Sequence, residues 1–154
     1  SPVNLLQGLA VSLEMFRRET LEAVYRKQWA MTRMVRAGVR SLGLELLAKT
    51  HFTWGLTSIA LPEGADSGRI LKIAAESCGV IMSGGQGAWK KTMLRFWHMG
   101  HVDWSDVLAG LYALRKGLVE SGGHAASGTY LEDAMEAYED ALKNGYAEEG
   151  GDNE

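Results

Sequence analysis

Four apolar runs of three to five residues, each followed by a polar or glycine-containing segment, lie within a chain that otherwise has helical periodicity. Runs this short make strands rather than helices. Strands scattered among helices in 154 residues point to one small sheet with helices against it. The runs are Leu44–Leu47, Thr57–Leu61, Val80–Met82 and Met93–Trp97. Pro62 and the Glu63-Gly64 pair end the second, and Ser83-Gly84-Gly85-Gln86-Gly87 forms a loop between the third and the fourth.

The remaining segments carry a 3.6-residue period. Leu5, Leu9, Leu13 and Phe16 recur on one helix face, and Pro2 sits where a helix start tolerates proline. Arg17-Arg18-Glu19-Thr20 interrupts the pattern. Leu21, Val24, Met31, Val35, Val39 and Leu42 then form a second stripe, with Arg26, Lys27, Arg33, Arg36 and Arg40 mostly off it, and Gly43 supplies a left-handed stop. Asp66 or Ser67 caps a helix bearing Ile70, Leu71, Ala74 and Cys78, which Gly79 ends. Asp103 or Ser105 caps another with Val107, Leu108, Leu111, Leu114 and Leu118 inward, which Gly122-Gly123 ends. Thr129 and Glu132 have the spacing of a capping box, and Leu131, Met135, Tyr138 and Leu142 edge a last helix that Gly145 stops. The fold expected is α+β: a small, mostly antiparallel sheet covered by helices, with an extra C-terminal helix.

Charge divides the chain. Residues 1–122 hold fifteen basic and ten acidic side chains, whereas residues 123–154 hold one and nine. The expected organisation is therefore a body over 1–122, an acidic amphipathic helix over 123–145 and a disordered tail over 146–154. The net charge of −3 argues against nucleic acid as a partner. No stretch approaches the ~20 apolar residues of a membrane span, and no secretory signal pattern opens the chain. A single cysteine, Cys78, excludes an intrachain disulfide framework and a multi-cysteine metal site, and fits a cytoplasmic setting.

Few residues suggest chemistry. Gly84-Gly85-Gln86-Gly87 followed by Lys90-Lys91-Thr92 has the look of a phosphate cradle, but Lys90 stands where that motif requires its second glycine, and a strand follows instead of a long helix. A glycine turn between strands is the expectation. His98 and His101 are three apart at a strand end, a spacing that does not align them on one face, and no metal is assigned to them. His51 and His124 have no sequence partners and are expected in surface or structural roles. Trp89 in the glycine loop and Trp97 stand out among the aromatic residues. Arg95 is the charge of most interest. It lies inside Met93-Leu94-Arg95-Phe96-Trp97 and shares a strand face with Met93 and Trp97. An arginine in a largely buried strand needs an anion, and its planar guanidinium suits a carboxylate, either a ligand's or that of an internal Glu or Asp.

Val80 to Gly87, followed by Leu94-Arg95-Phe96-Trp97-His98-Met99-Gly100, resembles the C-terminal signature of class V, fold-type I aminotransferases of the alanine–glyoxylate and serine–pyruvate or serine–glyoxylate type. In that branch a Gly-Gly-x-Gly loop precedes a strand reading Arg-x-x-His-Met-Gly. Pro2 to Leu9, Leu42 to Leu46 and Leu61-Pro62-Glu63-Gly64 are similar to the same family, so the likeness covers about residues 2–121. The acidic segment after Gly123 has no counterpart in it. The resemblance implies that the chain is the small domain of an enzyme that uses pyridoxal 5'-phosphate as an electron sink to move an amino group from alanine or serine to a 2-oxo acid such as glyoxylate or pyruvate. It implies a homodimer when full length. The cofactor lysine would belong to a large domain outside this chain, so the chain alone would have no catalytic or cofactor-binding residue and would be inactive. Arg95 matches the arginine that holds the substrate carboxylate, and Gly84, Gly85, Gln86 and Gly87 would border the cleft. Phe96-Trp97 and Trp89-Lys90-Lys91 depart from the family pattern and leave the substrate open. The alternative is a non-catalytic family member serving as a subunit or small-molecule binding module, as the name soluble hydrogenase subunit within the family suggests.

Overall fold

The computed structural model describes residues 2–123, 125 and 128–146. Helices α1 (Val3–Glu19) and α2 (Leu21–Ser41) lead into β1 (Glu45–Leu46), β2 (Leu56–Ala60), α3 (Ser67–Cys78), β3 (Ser83–Gly84), a 3₁₀ turn at Gly87–Trp89, β4 (Met93–Trp97), α4 (Trp104–Glu120) and α5 (Tyr130–Asn144). The strands form one antiparallel sheet in the order β1-β2-β4-β3. This is the expected α+β architecture.

Local chemistry accounts for the boundaries. Thr20 breaks α1 from α2 at a φ of 68°, and its hydroxyl accepts the Ala23 N–H at 3.3 Å. Asp66 caps α3 through the Arg69 N–H, and Gly79 ends it in the left-handed conformation. Asp103 and Asp106 form a reciprocal capping box at the start of α4. Gly43 and Gly122, the expected stops, have φ of 77° and 90°.

Pleating then sorts the sheet into two faces. Thr57 and Ile59 of β2 and Leu94 and Phe96 of β4 point into the helical layer and are buried. Met31, Val35 and Val39 of α2, Ile70 of α3 and Leu111, Leu114 and Leu118 of α4 complete that core. The opposite face carries Ser58, Arg95 and Trp97, and among the described residues no helix is packed on it. Two glycines allow α4 to approach: a Cβ on Gly110 would lie 2.2 Å from the Phe96 ring, and one on Gly117 would lie 2.9 Å from the Ile70 carbonyl oxygen.

Several expectations are corrected. The third strand is Ser83–Gly84, not Val80–Met82, because pairing is set by the free edge of β4; Ile81 is 88% exposed. The first strand shrinks to Glu45–Leu46. Ser83–Gly87 is accordingly part strand and part turn rather than all loop. Arg36 is not on the solvent side of α2. It is buried, donates to the Ala48 and Lys49 carbonyl oxygens at 2.9 and 3.0 Å, and lies 3.5 Å from the Phe52 ring centroid. The Thr129–Glu132 capping box does not form: the Thr129 hydroxyl bonds the Asp133 carboxylate at 3.1 Å. The buried edge of α5 is Tyr130, Ala134 and Ala141, with Leu131, Met135, Tyr138 and Leu142 half-buried beside it. This helix packs on α2 and α4, where Tyr130 and Ala134 join the main core, and the Trp29 indole N–H holds the Gly145 carbonyl at 3.0 Å. Tyr146 stacks on Trp54. Residues 147–154 of the expected disordered tail, and His124, lie outside the described residues.

Candidate functional site

The open face of the sheet gathers the site residues read from the sequence. Arg95 sits in the middle of β4 with Ser58 of β2 and Ser83 of β3 as its register partners on either side. Cross-strand partners share a face, so the guanidinium rises between two small hydroxyl residues. Its Nε–H donates to the Gly84 carbonyl oxygen at 2.9 Å, and its Cζ lies 5.8 Å from the Trp97 ring centroid. The strand face thus differs from expectation: Arg95 is half-buried on the uncovered side, not embedded in the core. Among the described residues no carboxylate pairs with it. Among the described residues the terminal nitrogens have no hydrogen-bond partner, and they are not enclosed. Two parallel N–H groups open to solvent have the geometry that a planar carboxylate accepts in a bidentate pair.

The glycine loop is built to support this arrangement. Gly84 lies in β3 and supplies the carbonyl that holds Arg95. A Cβ on Gly85 would fall 2.1 Å from the Trp89 carbonyl oxygen, so only glycine fits there. Gln86 precedes the 3₁₀ turn and accepts the Trp89 N–H at 3.0 Å through its backbone carbonyl, while Gly87 has a φ of 55°. The segment is thus a turn that joins β3 to β4.

No family model matches the chain. A Synechococcus protein described as the small subunit of a soluble hydrogenase is 31% identical over 121 residues, 79% of this chain and 32% of that protein. A serine–glyoxylate aminotransferase of Methylorubrum extorquens is 28% identical over 142 residues, 86% of this chain and 35% of its own length. The crystal structure of pyridoxamine–pyruvate aminotransferase from Mesorhizobium loti superposes with a TM-score of 0.79 at 28% identity, covering 86% of this chain and 34% of that one. The chain is similar to the C-terminal part of class V aminotransferases.

It spans about a third of the length of the curated relatives it matches, and corresponds to the C-terminal domain of these aminotransferases. Among the described residues no helix is long and apolar enough to cross a membrane.

The aminotransferase signature also contains a residue whose role sequence reasoning missed. His98 is fully buried at the end of β4. Its Nε2 lies 2.9 Å from the Thr57 hydroxyl, its backbone carbonyl accepts the Gln28 side-chain N–H at 2.9 Å, and its own N–H donates to the Gly55 carbonyl at 2.9 Å. The Gln28 amide also approaches Nδ1 at 3.5 Å, an arrangement that suits the Nε2-protonated tautomer. Burial first, with the Arg36 charge adding to it, lowers the His98 pKa from 6.5 to about 4. His98 is therefore a neutral tie between α2, β2 and β4. His101 is exposed and lines a groove of about 290 Å³ between α1, α2 and the 100–102 loop.

Proposed function

We propose that the chain is the substrate-gripping part of a pyridoxal-phosphate aminotransferase, in which Arg95 binds the carboxylate of a small amino acid such as alanine or serine and of a 2-oxo acid such as glyoxylate or pyruvate. The observation that carries this is the Arg95 guanidinium, fixed at Nε by Gly84, with its terminal nitrogens open and no carboxylate among the described residues paired with it. A bidentate clamp at the carboxylate leaves one orientation of the α-carbon toward the reacting groups. Gly84, Gly85, Gln86 and Gly87 border that cleft. The serine–glyoxylate and pyridoxamine–pyruvate enzymes that the chain resembles support the substrate class.

When bound, pyridoxal phosphate would supply the electron sink. The lysines of this chain do not fit the place that carries it. Such an amine is activated by enclosure, and no lysine here is buried: Lys49, Lys72 and Lys116 pair with Glu45, Glu76 and Glu120, Lys90, Lys91 and Lys143 are exposed, and Lys27 is half-buried in the α1–α2 groove. The cofactor and its lysine then belong to the part of the protein outside this chain. Helix α1 agrees with that: Leu5, Leu6, Leu9 and Leu13 are all exposed, a face suited to burial against the rest of a larger, homodimeric cytoplasmic enzyme.

A second reading is a non-catalytic subunit or small-molecule binding module, favoured by the hydrogenase-subunit description of one relative. The full-length protein separates the two. An aminotransferase is yellow as purified and loses its visible absorbance on adding alanine or serine, recovering it with glyoxylate or pyruvate. A colourless protein that stays colourless with added pyridoxal phosphate contradicts the proposal.

A further inference from the structure

Arginine has a long, rotamer-rich side chain, and one standing on an uncovered sheet face presents its fork in one direction only if something holds it there. Gly84 holds Nε. The second restraint is Trp97, two residues along the same face, whose ring centroid lies 5.8 Å from the guanidinium carbon, within cation–π range. The indole is itself tethered: its N–H donates to the Ser83 hydroxyl at 3.3 Å. Both restraints on Arg95 therefore lead back to the two residues of β3. The segment after β3 is fixed in turn, because the Gly85 N–H donates to the Met93 carbonyl at 3.1 Å and Gly85 tolerates no Cβ. Trp97 adds little to the core, which is formed by Leu94 and Phe96 on the other face of the strand, and it is 46% exposed. A large aromatic ring placed outside the core, tied by its one polar atom and set beside an arginine with open terminal nitrogens, calls for an explanation other than packing.

We propose that Trp97 is a positioning residue for Arg95: tethered to Ser83, its ring holds the guanidinium in the orientation that receives a substrate carboxylate. This rests on the carboxylate role given to Arg95 above. The register partners of Arg95 on the neighbouring strands are the small residues Ser58 and Ser83, so the large ring beside the guanidinium on this face is that of Trp97.

The test is calorimetric binding of pyruvate to the full-length protein, wild type and three variants, with KM and kcat measured alongside. Trp97→Ala is expected to weaken pyruvate binding and raise KM three- to tenfold, roughly the loss of a cation–π contact and its tether, with kcat within about twofold. Trp97→Phe keeps a ring and loses only the Ser83 bond, so it should recover most of the affinity. Both variants should melt within a few degrees of wild type, since the ring is half-exposed, and Trp97→Phe keeps the test valid if the alanine variant folds poorly. Arg95→Ala separates the two levels. If Arg95→Ala weakens pyruvate binding while Trp97→Ala and Trp97→Phe both bind as wild type does, the Trp97 assignment is overturned and the carboxylate role stands. If wild type binds no pyruvate, or Arg95→Ala binds it unchanged, the carboxylate role fails and the Trp97 assignment fails with it.

Discussion

Helix α1 is lined with leucines, and none of its residues is buried; Leu5 is 75% exposed. Helix α5 is crowded with Glu132, Asp133, Glu136, Glu139 and Asp140, yet Tyr130, Ala134 and Ala141 are buried against α2 and α4. Composition alone would have ranked these two helices the other way round. What decides is whether a small apolar edge meets a complementary surface within the chain. Ala134 meets one: a Cβ on Gly38 of α2 would lie 3.3 Å from the Ala134 methyl, so the two helix backbones run close. The leucines of α1 meet none among the described residues: Leu5, Leu6, Leu9 and Leu13 all stay exposed.

A matched pair of substitutions puts the largest strain on this contrast. Ala134→Asp forces an unpaired carboxylate into a fully buried site and is expected to cost about 3–5 kcal/mol, enough to abolish a cooperative melt in a marginal domain. Leu9→Asp makes the same charge change on α1, where Leu9 is 55% exposed, and should move stability by less than about 0.5 kcal/mol. Circular dichroism melts of the two variants check this. Equal losses would mean that α1 is as much a part of the folded unit as α5.

A smaller effect comes from the buried side alone. His98 has a pKa of about 4 when folded, against 6.5 when its burial is undone. The unfolded chain therefore binds a proton that the folded chain refuses, so this contribution is complete above pH 6.5, falls as the pH drops toward 4, and is flat below that. The loss amounts to about 3 kcal/mol. Urea midpoints across this window should fall in the wild type and fall much less in His98→Gln. A wild-type curve parallel to the variant's would show that His98 is not held neutral by the fold.

The residues explain how much of this was legible beforehand. Helix ends marked by Gly43, Gly79, Gly122 and Gly145 were readable because each glycine takes a positive φ that other residues resist. Strand β4 was readable as a short apolar run, and Arg95 as the one charge within it. Strand β3 was not, since Ser83 and Gly84 have little strand preference and pair only because β4 offers a free edge. Arg36 was unreadable for a related reason. The carbonyls of Ala48 and Lys49 and the Phe52 ring that make its burial tolerable come from the loop between β1 and β2, which no pattern on α2 reveals. His98 stands out in the sequence only for its three-residue spacing from His101. Its actual partners, Gln28 and Thr57, stand 70 and 41 residues away in sequence. The site resolved in the same way: the guanidinium was legible, but its half-exposed face, its Gly84 anchor and the serines flanking it emerge only from the register of three strands.

The most direct test of the proposed carboxylate role is the kinetics of Arg95→Ala and Arg95→Lys in the full-length protein. The account predicts that Arg95→Ala raises KM for both amino donor and 2-oxo acceptor and lowers kcat/KM by ~10²-fold, with Arg95→Lys between it and the wild type because an ammonium restores the charge but not the fork. Unchanged KM values for both substrates in Arg95→Ala would contradict it.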